Sequence, residues 1–377
     1  MTMTPQRNIG LYVHVPFCRQ RCRFCAFYLE IARAERIDAF RAALTREIDL
    51  YRLQELFAGR PLQSVYFGGG TPTALPAPML VAILELIRAT WPIAPGLEVT
   101  VEAHPSTVTA EDLTLLADAG VNRISFGAES MNDEDFAPIG RPGSVQETES
   151  AVVAARAGGF TNINLDLMYG LPGQTQESWE KTLRSLLALD PSHVSCYALT
   201  IEEGTRLAQD IARDLVLRPD EAIQIDMESA ALTLLSEAGF IRYELSNYAK
   251  PGAVCRHNLL YWTGHDYLGL GPSAQSYVDG VRFGNIADLS DYVDSLEKHT
   301  LPVAERFMLC SSDRQRDALV FGLRLIRGVA LDAVEGSGQH NKIQELVMRG
   351  LLELNTDRVR LTPLGRRYAD TVAGELF

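Results

Sequence analysis

Cysteine is scarce in this 377-residue chain, six in all, and three of the six, Cys196, Cys255 and Cys310, stand singly. Thiols scattered in this way form no disulfide framework, which excludes the small secreted scaffolds and suits a reducing cytoplasm. No uninterrupted run of about 18 apolar residues occurs, so no membrane-spanning helix is expected. Residues 1–8 also carry no apolar segment of the kind an export signal needs. Positive charge is short as well: 35 Lys and Arg against 48 Asp and Glu leave a formal net charge of −13. Nucleic acid requires clustered cations for its phosphates, so it is excluded as the main partner, and small molecules or proteins are expected instead.

Apolar residues make up 46% of the chain, enough for a sizeable core, and the length exceeds the ~150 residues of one ordinary domain. One large α/β barrel with a smaller appended domain is the natural expectation. Short β-branched runs at 11–15, 64–67, 98–103, 123–126, 162–168 and 193–197 read as strands. Helical periodicity fills the intervals at 35–56, 78–90, 110–119, 145–157 and 176–189, several of these ending at glycine. Six such units predict a partial (β/α)6 barrel with its functional groups at the carboxyl ends of the strands. The barrel is expected over 1–285, with a core at about 9–200 and an extension at 201–285, followed by a helical unit over 286–377. In that last part, helices at 314–326 and 341–349, a strand at 359–361 and a final helix capped by Thr362 suggest a winged-helix shape. Its acidic and basic residues nearly balance, so covering the barrel mouth is a better reading than binding DNA.

The main chemical signal follows the first strand, where Cys18, Cys22 and Cys25 form a C-x-x-x-C-x-x-C triplet in a loop with Arg19, Gln20, Arg21 and Arg23. Three thiolates on one polar loop can hold three corners of a 4Fe-4S cluster and leave the fourth iron open to a small molecule. A structural zinc needs four ligands, usually as two pairs, and no second C-x-x-C exists here. The second strand runs into Gly68-Gly69-Gly70-Thr71-Pro72, which matches neither a phosphate loop nor G-x-G-x-x-G. Three glycines permit close approach and are expected to offer backbone N–H groups to a carboxylate or other polar group.

Tyr12-x-His14-x-Pro16-Phe17-Cys18-x-x-x-Cys22-x-Phe24-Cys25, followed by Gly68-Gly69-Gly70-Thr71-Pro72-Thr73, resembles the radical S-adenosylmethionine (SAM) superfamily. The branch it resembles is that of oxygen-independent coproporphyrinogen III oxidase, also called coproporphyrinogen dehydrogenase. The likeness continues through the segments 164–175 and 243–249 and so spans nearly the whole chain. It implies that SAM chelates the open iron and is cleaved reductively to a 5'-deoxyadenosyl radical, with the electron coming from a donor protein. Position by position, it places Tyr12, Gly69 and Glu102 at the cluster-bound SAM. It places Phe24, Gly70, Thr71, Glu129, Arg141, Asp166, Ala198 and Gln275 at a second SAM or on the substrate side. Glu129 stands where Gln is usual, and Gln275 where His or Ile is usual. These departures weigh against a second SAM and leave the two residues as the candidates for a catalytic group.

Within the branch, Phe27 replaces the cysteine that the dehydrogenase carries two residues past its third ligand, and few residues precede the first strand. The segment Cys255-Arg256-His257-Asn258-Leu259-Leu260-Tyr261-Trp262 resembles the H-N-x-x-Y-W motif of HemW-type haem chaperones. That resemblance implies haem as a ligand, with His257 supplying an imidazole to the iron and Asn258, Tyr261 and Trp262 beside the macrocycle. Haem-accepting proteins would then be partners. The alternative for these residues is structural: Asn258 bound to backbone, and Tyr261 and Trp262 filling the gap between barrel and C-terminal domain. Cys255 is a weaker alternative ligand, and His14 reads as a packing or hydrogen-bonding residue. The resemblance favours a haem chaperone over a coproporphyrinogen oxidase or a SAM-dependent methyltransferase on the same scaffold.

Overall fold

The computed structural model describes residues 8–54, 57 and 59–377; most of the 1–8 segment and positions 55 and 56 of the expected first helix lie outside the described residues. All six expected strands are present, each somewhat longer than its pattern suggested. They are β1 Ile9–Val15, β2 Leu62–Gly69, β3 Ile93–Ala103, β4 Arg123–Glu129, β5 Asn162–Tyr169 and β6 His193–Ala198, paired in parallel and in that order. The helices α1 Ala34–Arg52, α2 Ala77–Thr90, α3 Ala110–Asp118, α4 Val145–Ala157, α5 Gln176–Ala188 and α6 Glu221–Glu237 alternate with them. Local chemistry sets several boundaries: Thr109 and Asp112 form a reciprocal capping box on α3, and Thr175 and Ser178 do the same on α5.

The sheet does not close. Beyond β6 it continues through β7 Ile241–Arg242 and β8 Asn247–Ala249. On the other side of β1 it continues through β9 Tyr267–Leu270, β10 Gln275–Val278, β11 Val281–Asn285 and β12 Val303–Met308. The full order is β12-β11-β10-β9-β1-β2-β3-β4-β5-β6-β8-β7. The expected boundary at 285/286 therefore falls inside this edge, because β12 pairs with β11. A second apolar core gathers Leu319, Ile343, Leu346, Val359 and Val372, so the C-terminal unit starts near Ser311, where a helix runs to Gly322. A three-stranded sheet of Val329–Ala330, Leu352–Leu354 and Arg358–Leu361 belongs to this unit, and the Thr362 hydroxyl caps the next helix by accepting from Gly365 N at 2.9 Å.

Register decides what the barrel encloses. Parallel pairing sets Tyr12 beside Tyr66, Glu102 beside Ser125, Ser125 beside Asn164, and Asp166 beside Ser195. With a side-chain period of two, Val13, Phe67, Val101, Phe126 and Leu165 point the other way and form the main core under the helices. The strands thus carry an apolar outer face and a polar lumen. At the amino ends of β1 and β2 the lumen is plugged by α7 Arg256–Trp262, whose first N–H groups, those of Arg256 and His257, donate to the Glu98 carboxylate at 2.9 Å each. Gly10 is needed here, since a Cβ would collide with the Leu260 side chain.

Candidate functional site

At the opposite, carboxyl end the chain leaves β1 and folds a flap across the mouth. Phe17 and Cys18 pair with Glu30 and Ile31, Glu30 N donates to Pro16 O at 2.6 Å, and Ala32 N donates to Cys18 O at 2.9 Å. The three flap thiols are unpaired and half-buried, and they border one cavity of about 570 Å³. Burial raises the Cys18 thiol and pushes Cys22 up to about 11, a cost that a metal's positive charge removes. Arg141 Nη1 stands 4.0 Å from Cys22 Sγ, and Thr71 Oγ1 stands 3.4 Å from Cys18 Sγ. Among the described residues no three His, Cys, Asp or Glu side chains converge on one point as a single ion requires. Three thiols spread around a cavity rim fit a cluster, where each thiolate takes its own iron.

The glycine stretch meets the expectation only in part: the Gly69 N–H is bonded to the Glu102 carboxylate. Gly70 N and Thr71 N donate to Val15 O and Phe17 O at 2.8 and 2.7 Å, so these two N–H groups are already spent on β1 and the flap. Close approach is the real requirement: Gly69 has φ +108°, and a Cβ there would lie 2.8 Å from the His14 ring, while one on Gly70 would lie 2.7 Å from Phe17 O. His14 itself packs beneath this turn and shares a 3.1 Å hydrogen bond with Tyr12, in keeping with a packing role.

Three half-buried carboxylates, Glu102, Glu129 and Asp166, face the same cavity. Glu102 accepts from the Tyr66 hydroxyl at 2.7 Å, and burial pushes it up to about 7. Asp166, also raised by burial, accepts from Asn164 Nδ2 at 2.8 Å and Ser125 Oγ at 3.3 Å. Glu129 sits at a bulge with φ +62°, a backbone state that costs a non-glycine residue energy and is typical of functional sites. It pairs with Arg141 at 3.4 Å, yet burial still lifts it to about 7. Arg19, Arg123 and Arg141 are the cations that line this cavity, equal in number to the three carboxylates.

Glu129, raised to the same value, shares the pH dependence that follows from Glu102. The folded value of Glu102 near 7 lies above the ordinary 4.5, so without ligand the stabilising neutral form is complete below 4.5 and its contribution is lost as pH rises through 7. A cationic ligand reverses the preference, because it needs the ionised form. SAM affinity is expected to rise roughly tenfold between pH 6 and 8, with proton release visible in calorimetry run in two buffers. Glu102→Gln should reduce the slope, with the Glu129 share remaining, and an unchanged slope would remove Glu102 as a source.

The structure brings Cys18, Cys22, Cys25, Phe24, Gly69, Gly70, Thr71, Glu102, Glu129, Arg141 and Asp166 to one cavity. Tyr12 lies just behind it, stacked 6.2 Å from Tyr66. Two expected members lie elsewhere. Gln275 is exposed on β10, with its amide against Gly284: β10 lies beyond β9 in the antiparallel edge of the sheet, outside the barrel strands. Ala198 follows Tyr197 on β6, so the period of two sends Tyr197 to the cavity and Ala198 to a second cavity outside the barrel.

The haem-ligand expectation for His257 is corrected as well. Its ring is buried at the lumen floor, with Nδ1 2.8 Å from Ser64 Oγ, Nε2 2.8 Å from Tyr261 OH, and Tyr66 stacked at 5.1 Å. Both nitrogens are occupied. Tyr261 is tied to His257 and packs edge-on against Tyr267 at 4.6 Å. Trp262 lies under Arg324 of the C-terminal unit at 4.5 Å, so the space-filling alternative holds for both aromatics. Cys255 is buried with its thiol 3.8 Å from Glu98, away from the cavity, whereas Asn258 does reach the cavity floor. Sequence reasoning missed Tyr66, Arg123, Ser125, Asn164 and Ser195, although the signal was there: each is an inward position alternating with the apolar residues of its strand.

An open parallel barrel with three free thiols at this spacing on its carboxyl rim, above a wall of carboxylates, defines a radical SAM protein. The model of the Radical SAM superfamily matches residues 12–186. The coproporphyrinogen III oxidase HemN of Escherichia coli superposes with a TM-score of 0.86 at 23% identity, covering 100% of this chain and 91% of that one, and so has the same fold. Proteins named Heme chaperone HemW align almost end to end: that of Mycobacterium tuberculosis H37Rv is 33% identical over 374 residues, 99% of this chain and 96% of its own. That of Haemophilus influenzae is 38% identical over 386 residues, 98% of this chain and 97% of its own. The chain belongs to the HemW family of the radical SAM superfamily. Among the described residues no helix is long and apolar enough to cross a membrane.

Proposed function

We propose that this protein is a cytoplasmic haem chaperone that binds haem and passes it to haem-requiring proteins. It would hold a 4Fe-4S cluster on Cys18, Cys22 and Cys25 and a SAM molecule at the remaining iron. The observation that carries this reading is its alignment over 99% of its length with a protein named for haem chaperoning. Phe27 supports it: the position is an exposed aromatic on the cavity rim, 69% accessible, rather than a further thiol beside the cluster.

When bound, the cluster and SAM supply one-electron reductive chemistry, for which an external donor protein is required. The chain's own part is to bind and orient. Glu102, fixed by Tyr66, and Asp166, fixed by Asn164 and Ser125, present carboxylate oxygens to the positive end of SAM. Arg141 holds Glu129 and the Gly127 carbonyl, keeping the strained bulge in place beside Cys22. Tyr12 backs this wall from beneath.

The test is a haem titration of the anaerobically reconstituted protein. A stoichiometric Soret shift is expected. No Soret shift, together with SAM cleavage coupled to a methylated product, would turn the reading to the methyltransferase.

A further inference from the structure

The thiol loop is gripped at one residue, Arg23, which follows Cys22 and, with Phe24, separates it from Cys25. Its N–H donates to Ile139 O at 2.8 Å, and its carbonyl accepts from Leu207 N at 2.8 Å. Both partners are helix-end groups of the kind a helix leaves unpaired: Ile139 closes the short helix Phe136–Ile139, and Leu207 lies in the first turn of the helix Arg206–Ala212. The loop backbone therefore bridges the carboxyl end of one helix and the amino end of another. Packing follows the same lines. Phe24 lies against a small apolar cluster of Ile139, Met168, Leu171, Leu199 and Leu207. Gly140 ends the first helix in the left-handed region at φ +62°, and a Cβ there would lie 2.7 Å from Arg23 Cγ.

The Arg23 side chain is held from the same side. Asp210, on the helix that supplies Leu207, is only 2% exposed, and its carboxylate stands 3.5 Å from Arg23 Nη1 and 2.8 Å from Arg206 Nε. Arg206 and Asp210 are four residues apart on one helix, a pairing that contributes little where both groups face water. Here the carboxylate is enclosed, whereas both guanidiniums keep much of their surface in solvent. An enclosed charge requires cations close by, and that requirement draws Arg23 onto the helix.

We propose that Asp210 is a positioning residue for the iron-sulfur cluster: together with Ile139 O and Leu207 N it fixes Arg23, and through Arg23 the placement of Cys22 and Cys25. The inference rests on the reading that the three thiols hold the cluster. Cys25 N donates to Cys22 O at 3.3 Å, so the two thiols share one tight turn, and Arg23 and Phe24 are the residues inside it. None of the contacts on Arg23 uses a thiol, so all of them coexist with a cluster on the loop. Groups that orient metal ligands from behind raise metal affinity, because less ordering is left for binding to bring about. Of the three contacts on Arg23, only the ion pair is made by side chains, so substitution can remove it and leave the backbone bonds in place.

The experiment compares full-length wild type, Asp210→Asn, Arg23→Ala and the double variant, each reconstituted anaerobically. It follows iron release to an excess of a ferrous chelator and the low-temperature EPR spectrum of the dithionite-reduced cluster. Asp210→Asn is expected to release iron roughly tenfold faster than wild type. Arg23→Ala, whose side chain is exposed enough to spare the fold, should do about the same, and the double variant should be no faster than either, because both changes remove one contact. The EPR spectrum should shift in each variant, a change that a residue serving the fold alone would not cause. Wild-type release rates and spectra in the variants, or losses that add in the double variant, would overturn the proposal and leave the cluster reading intact. So would a lower unfolding midpoint of the cluster-free protein with both cluster readouts unmoved. If the wild-type protein takes up no iron, or Cys22→Ser keeps all of it, the cluster reading fails and this inference with it.

Discussion

Cys22→Ser is expected to lose nearly all cluster iron and sulfide after anaerobic reconstitution, together with the visible charge-transfer absorbance and any reductive cleavage of SAM. The physical basis is the donor count: with three thiolates on one flap, removing one leaves two corners of the cluster unheld, and a serine hydroxyl does not ionise at neutral pH to replace the thiolate. The fold itself should barely notice. Cys22 is half-buried, its thiol makes only a 4.0 Å contact with Arg141, and the flap is held by backbone hydrogen bonds that survive the change. Unfolding free energy without cluster should therefore move by no more than about 1 kcal/mol. Iron and sulfide analysis of wild type and variant decides the matter, and unchanged content in the variant would sink the cluster assignment.

His257→Ala is expected to have the opposite profile, a large effect on stability and none on haem. The substitution removes a buried ring from beneath Tyr66 and leaves the Ser64 and Tyr261 hydroxyls without partners, a loss of about 2–4 kcal/mol from cavity formation and unsatisfied polar groups together. Burial lowers the imidazole to about 3, so it is neutral at physiological pH and adds no charge to the lumen floor. The same shift makes the wild-type protein less stable as pH falls from 6.5 towards 3, because the unfolded chain takes up the proton first. Chemical denaturation measures the first effect, and a hemin titration of the variant below its unfolding midpoint measures the second. Unaltered stability with loss of hemin binding would return His257 to the role of ligand.

Much of this protein is legible along the chain because its signals are local. The strands show themselves because β-branched runs are bounded by turns, α3 begins where Thr109 and Asp112 cap it, and the C-x-x-x-C-x-x-C spacing lies within one loop. Glu102, Glu129 and Asp166 could be placed together because parallel strands bring their carboxyl ends to one rim. What stayed hidden needs partners far apart in sequence. The occupation of both His257 nitrogens depends on Ser64, nearly two hundred residues away, and on the seating of α7 at the amino end of the lumen against Glu98. The outward turn of Gln275 depends on strand order, which no local pattern states.

The amino-acid sequence by itself determined the alternation of apolar core and polar lumen, the thiol triplet and the acidic character of the chain, since each is a property of residue type and spacing. Only the tertiary structure decided that the Gly70 and Thr71 N–H groups bond to β1 and the flap and that His257, Tyr261 and Trp262 plug and brace the barrel. It also decided that Asp210 meets Arg23 of the thiol loop. The reason is physical: a hydrogen-bonding group or a charge takes its role from what lies within a few ångströms of it, and the packing of distant segments sets those neighbours.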